Sequence, residues 1–134
     1  MSENRTLAQI EGEDWGEPTY DSNLVSTCHK LRPKPLSDFS TEELRIMIGQ
    51  NISLEYLMPI ALKLLQNRPL AEGDHFPGDL LCSVLRAPSE FYAENPKHRL
   101  KVESTVRRAL KMIKDDKTVR KALLEAQEIF TSGD

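Results

Sequence analysis

Residues 72–81, EGDHFPGDLL, gather the side chains of this chain best suited to chemistry. Asp74 stands beside His75, a third polar group follows at Asp79, and Gly73, Pro77 and Gly78 frame them. Two carboxylates and an imidazole could hold a metal ion or share general acid and base duties. A metal would need all three to converge. Asp74 and His75, as chain neighbours, tend to point apart, and no second His or Cys pair follows at ligand spacing. His29 and His98 could join only through the tertiary fold. Acid–base work would further require burial and opposed pKa shifts. A turn that feeds a helix explains more of the stretch. Gly73 and Gly78 suit positive φ or a close backbone approach. Pro77 stiffens the turn, and Asp79 stands where a carboxylate can cap a helix over 79–86 or complement its dipole. Leu80, Leu81, Val84 and Leu85 would then dock that helix on the core. The expectation is recognition: no catalytic residue, no metal ligand and no cofactor.

The elements that must position this turn are helical. Ser40 followed by Glu43 is a capping box, Leu44, Met47 and Ile48 mark an inward face, and Gly49 is a natural stop. Ser53 opens a second helix with apolar residues at 54, 57, 58, 61, 62 and 65. Ile60 and Leu64 widen its stripe, which predicts the central helix of the fold, and Pro59 should kink it or mark a restart. After 79–86 comes a turn at SEFYAEN, halted at Pro96. Asn95 and Pro96 then supply a cap and first position for a helix to about Lys114. Val102, Val106, Ala109, Leu110 and Ile113 form its inner sector. Lys97, Lys101, Arg107, Arg108, Lys111 and Lys114 form the outer one. Asp115 and Asp116 cap a last helix facing inward through Val119, Ala122, Leu123, Ala126, Ile129 and Phe130. No repeat or hairpin signal interrupts the pattern. The prediction is an all-α fold, a compact bundle of about five to seven helices.

Residues 1–36 carry Gly12, Gly16, Pro18, Pro33 and Pro35 and show no sustained period. Leu7, Ile10, Trp15, Tyr20, Leu24, Val25 and Leu31 still provide apolar anchors. The segment reads as an extended, irregular N-terminal arm packed on a helical domain over 37–134, with a short strand or helical turn near 23–28. The whole makes one domain, as 134 residues suggest.

A net charge of −3 conceals an asymmetry. Residues 1–23 hold Glu3, Glu11, Glu13, Asp14, Glu17 and Asp21 against Arg5, whereas 97–121 hold ten Lys or Arg against three acids. The basic sector of 97–114 could track phosphates. A sequence pI of 5.7 and the lack of aromatics beside the bases argue for a solvated face instead. Trp15, the only tryptophan, lies among acids and suits either an anchor for the arm or an interface hot spot. Two cysteines are too few for a disulfide scaffold, no apolar run spans a bilayer, and the polar N-terminus lacks a leader pattern. A cytoplasmic protein is expected. Cys82 reads as a small core hydrophobe.

Three stretches also carry a family likeness. IEGEDWGEPTYDSNLV (10–25), LRPKPLSDFSTEELRIMIGQNISLEYLMPIALKLL (31–65) and EGDHFPGDLLCSVLR (72–86) together resemble the immunity proteins of bacterial contact-dependent growth inhibition (CDI) systems. The likeness runs from about Thr6 to Pro96. Its ordered pattern EELR…IGQ…L…P.AL..L…P…GD..PGDLL is more specific than any one piece. Where members show an aromatic FW..NP segment, this chain has Phe91, Tyr92, Ala93, Glu94, Asn95 and Pro96. The resemblance implies a cytoplasmic partner-binding protein. Its partner would be the toxic C-terminal domain of a cell-surface exoprotein, often a nuclease, bound one to one. Complementary charge would place an acidic surface on such a toxin. The contact candidates are Glu11, Asp14, Trp15, Tyr20, Glu72, Asp74, His75 and Phe76. The competing reading is a small helical nucleic-acid-binding or regulatory protein that uses the basic face of 97–114.

Overall fold

Both halves of the capping box at Ser40 form. The Glu43 amide donates to Ser40 Oγ at 3.1 Å, and the Ser40 amide donates to Glu43 Oε1 at 2.9 Å. Glu43 also receives the Lys34 ammonium at 2.6 Å, which ties the preceding chain to the helix start. The computed structural model describes Thr6, Leu7, Gln9, Leu31, residues 33–113 and residues 116–132. A 3₁₀ turn, Leu36–Asp38, leads into α1 (Thr41–Gly49) and α2 (Leu54–Asn67). The short helices α3 (Asp79–Leu85) and α4 (Ser89–Glu94) follow, then the long pair α5 (Pro96–Ile113) and α6 (Lys117–Ser132). The fold is the expected all-α bundle, with six α-helices and no strand among the described residues; two isolated antiparallel bridges pair Thr6 with Pro35 and Glu72 with Pro77.

Several expectations about single residues change. α1 ends at Gly49 as expected, but Gly49 is itself helical and does not supply the left-handed turn. The left-handed stop falls on Asn51 (φ 58°). The Asn51 amide donates to the Ile48 carbonyl and the Ile52 amide to the Met47 carbonyl, a Schellman pairing that satisfies two orphan acceptors. α2 passes through Pro59 as one helix with no restart, and Pro59 lies on its exposed side. On α6, Ile129 is 46% exposed rather than inward, while Val119, Leu123, Ala126 and Phe130 are buried. Spacing explains this: Ile129 lies roughly 90° around the helix from the centre of that buried stripe.

The centre of the bundle is the seven-residue α3 rather than α2. α3 packs against α1, α2, α5 and α6, and each of its residues except Ser83 is buried. A helix this short with a nearly continuous apolar surface can be satisfied only by being surrounded. Tyr92 of α4 closes one side. It is 1% exposed, its hydroxyl donates to the Val84 carbonyl at 2.5 Å, and its ring meets Phe130 edge-on at 5.1 Å. Burial pushes its phenol far above the usual range. Asn95 turns its side-chain amide back to the Phe91 carbonyl at 2.8 Å, while its own carbonyl accepts from His98 and Arg99 to start α5. Asp116 caps α6 through the Val119 amide at 3.0 Å. Burial lifts the Cys82 thiol to about 11, which suits the core role expected of it.

Thr6 and Gln9 exchange side-chain and backbone hydrogen bonds at 3.0 and 3.1 Å. Leu7 and Leu31 are both buried in the common core. The strand or turn expected near 23–28 lies outside the described residues, as does most of the segment expected to form an arm.

Candidate functional site

Asp79 occupies the first position of α3 and is 3% exposed. Its charge lies in the first turn, as the dipole argument requires, but its side chain caps nothing in its own helix. The carboxylate instead reaches back over the preceding turn. Oδ1 accepts the Gly73 amide at 2.7 Å, and Oδ2 accepts the amides of His75 at 3.0 Å and Phe76 at 3.4 Å. The amide left between them, that of Asp74, donates to Glu42 Oε1 at 2.9 Å. Four consecutive backbone donors therefore converge on two carboxylates. Such a concave row of amides would bind an anion; here the protein supplies the anions itself.

Glu42 belongs to α1, and Arg45 one turn later holds it in a two-pronged bond, Nε to Oε1 and Nη2 to Oε2, each 2.6 Å. Arg45 Nε also lies 3.9 Å from Asp79 Oδ2. One guanidinium thus bridges the two carboxylates that grip the loop. The bond from Arg45 holds the Glu42 carboxyl below its ordinary 4.5 against the opposing effect of burial, with the Asp74 amide assisting. The same pairing raises Arg45.

The glycines have separate reasons. A Cβ on Gly73 would stand 2.5 Å from Glu42 Oε1 and 3.2 Å from Glu42 Cα, so only a bare backbone fits against α1. Gly78 has φ +91°, a conformation that L side chains rarely adopt. Its amide donates to the Leu70 carbonyl at 3.1 Å, and the Asp79 amide to that of Phe76 at 3.0 Å, which closes the turn.

The sign of the Glu42 shift yields a pH prediction. A carboxyl depressed in the folded state adds stability above its ordinary value and loses it as pH falls through the lower folded value. The stability gap between the wild type and Glu42→Gln is therefore expected to be widest at neutral pH. It should close as pH drops below 4.5, read as the urea midpoint from pH 7 to pH 3. A gap that stays constant over that range would show that the Glu42 charge does not hold the loop.

The arrangement fits positioning better than chemistry. Asp79 is buried and engaged by three amides, so both its oxygens are committed to holding the loop. His75 and Asp74 enter the network through their backbones, and both residues are exposed. Among the described residues no group of three His, Cys, Asp or Glu is arranged to hold a metal ion. Of the eight contact candidates, Glu72, Asp74 and His75 are exposed and Phe76 is half-buried, all on this one loop. Glu11, Asp14, Trp15 and Tyr20 lie outside the described residues. Sequence reasoning missed Glu42 and Arg45. Their i,i+3 spacing hints at a pair, but nothing local links them to a loop 32 residues away.

A family model described as CDI immunity proteins matches residues 9–102. No curated protein and no solved structure gives a significant match. None of the described helices is long and apolar enough to cross a membrane. The family match takes in Glu42, Arg45 and the whole of the 72–79 turn, and over that span the chain belongs to the CDI immunity proteins, the contact-dependent growth inhibition family.

Proposed function

We propose that this immunity protein acts in the cytoplasm by binding, one to one, the toxic C-terminal domain of its cognate CDI exoprotein. In this reading it covers the toxin's active site or an essential surface and performs no catalysis. The observation that carries it is the loop of residues 72–76, which exposes Glu72, Asp74 and His75 beside a half-buried Phe76 while four of its amides are tied down. A loop ordered before binding loses little conformational entropy when a partner arrives. Two exposed carboxylates on it suit a basic groove of the kind a nuclease uses for its substrate. Residues 1–36 are read as an arm over the helical domain 37–134, bringing Glu11, Asp14, Trp15 and Tyr20 to the same partner.

The test uses an inactivated toxin domain of the cognate exoprotein. Asp74→Lys, alone and with Glu72→Lys, is expected to slow association about tenfold at low salt and to flatten the salt dependence of the rate, since steering charges act mainly on encounter. Co-expression with active toxin should show weakened protection. An association rate and salt slope equal to those of the wild type would remove this loop from the interface.

A further inference from the structure

The outer face of α5 is the strongest unassigned patch on the described surface. Lys97, Lys101, Arg107, Arg108 and Lys111 are all exposed along about 21 Å of helix. Leu100 sits among them at 65% exposure, the highest of any large apolar residue described. Glu103, the one acid on α5, is paired with Arg99 at 3.7 Å and stands to the side. From its geometry we infer that this face is a second part of the toxin contact, meeting a carboxylate-rich patch of the toxin domain that has an apolar socket for Leu100. The inference rests on the proposed function and gives the partner a two-signed surface.

Three observations favour that occupant. A stable inhibitor complex buries about 800 Å² on each partner and uses some 20–30 residues. The three exposed residues of the 72–76 loop cannot supply that alone. The elements that carry the two patches meet at the C-terminal end of α2. Arg108 donates to the Gln66 carbonyl at 2.8 Å, at the end of α2 that leads into the loop. Leu70 and Leu123 flank Gly78, so the base of the loop packs on α6 beside α5. One rigid partner at the C-terminal end of α2 can therefore span both. Finally, the large apolar residue most exposed on the face is a leucine, which cannot stack on a base as an aromatic ring can, and the chain is acidic overall; both favour protein over nucleic acid.

Juxtaposed acid and base also serve specificity, since a wrong partner must match both signs. The test measures binding of the inactivated toxin domain to the wild type, to Arg107→Glu with Lys111→Glu, and separately to Leu100→Ser. These positions are solvent-facing, so unchanged thermal midpoints and helical circular dichroism check that each variant folds. The expected result is at least a tenfold rise in Kd for the charge reversal, and a several-fold rise in dissociation rate for Leu100→Ser. If the wild type binds and both variants bind equally well, the α5 contact is wrong and the proposed function stands. If the wild type does not bind the toxin domain, the proposed function itself fails. If the wild type shifts transfer RNA or duplex DNA and the charge reversal abolishes that shift without weakening toxin binding, α5 is a nucleic-acid surface and the inference is overturned.

Discussion

Replacing Phe130 with Ala is expected to destabilise the protein by about 4 kcal/mol, the upper range for truncating a buried aromatic ring. The ring is 4% exposed. It meets Tyr92 edge-on at 5.1 Å and carries the Arg99 guanidinium 4.9 Å above its centroid. Tyr92 in turn fastens α4 to α3 through the Val84 carbonyl. Removing Phe130 therefore opens a cavity between α6 and α4, frees the Tyr92 ring on one side and strips Arg99 of its aromatic partner. A domain stabilised by some 5–15 kcal/mol would be left near the margin. The urea midpoint checks this. The result matters because residues 103–134 lie beyond the family match. A loss below about 1 kcal/mol would mean that α6 is an appendage rather than a wall of the core.

The second large effect belongs to Asp79. Asp79→Ala leaves the Gly73, His75 and Phe76 amides without their acceptor and takes one of two carboxylates from Arg45. Orphaning three partly buried donors, together with loss of a charged acceptor, predicts about 3 kcal/mol. Asp79→Asn retains one acceptor oxygen and is expected to cost about half of that. Hydrogen exchange at Gly73, His75 and Phe76 should accelerate in both variants, and toxin affinity should fall with the order of the loop. His75→Ala supplies the contrast: an exposed side chain outside the network is expected to change stability by no more than about 0.5 kcal/mol. Should His75→Ala prove the costlier change, the imidazole and not the Asp79 carboxylate would be the organising group.

Much of this was legible from spacing because the governing interactions are local. The Ser40–Glu43 box, the Asp116 cap, the start of α5 at Pro96 and the buried stripes of α2 and α5 all depend on residues within about one turn of each other. The glycines of the turn were readable too, one for close approach and one for positive φ. What escaped is what the tertiary fold decides. A capping role for Asp79 follows from its position at a helix start, but the folded turn presents three upstream amides instead. Glu42 reaches Asp74 across 32 residues, and no periodicity encodes that meeting. Gly49 resembled a stop because glycine often fills that position, yet Asn51 also tolerates the left-handed region and took it. α2 promised the centre by its length and apolar breadth. α3 holds it because a buried seven-residue helix leaves no polar face to turn outward.

In the proposed complex, carboxylates hold the 72–76 loop rigid so that another protein can read its side chains. Titrating the isotope-labelled chain with an inactivated toxin domain, and following the backbone amides by NMR, tests this most directly. Signals from residues 72–76 are expected to shift or broaden and saturate at one equivalent, with Gly73, His75 and Phe76 already slow to exchange before toxin is added. Saturation with that loop undisturbed, or a loop whose amides exchange freely in the unbound protein, would contradict it.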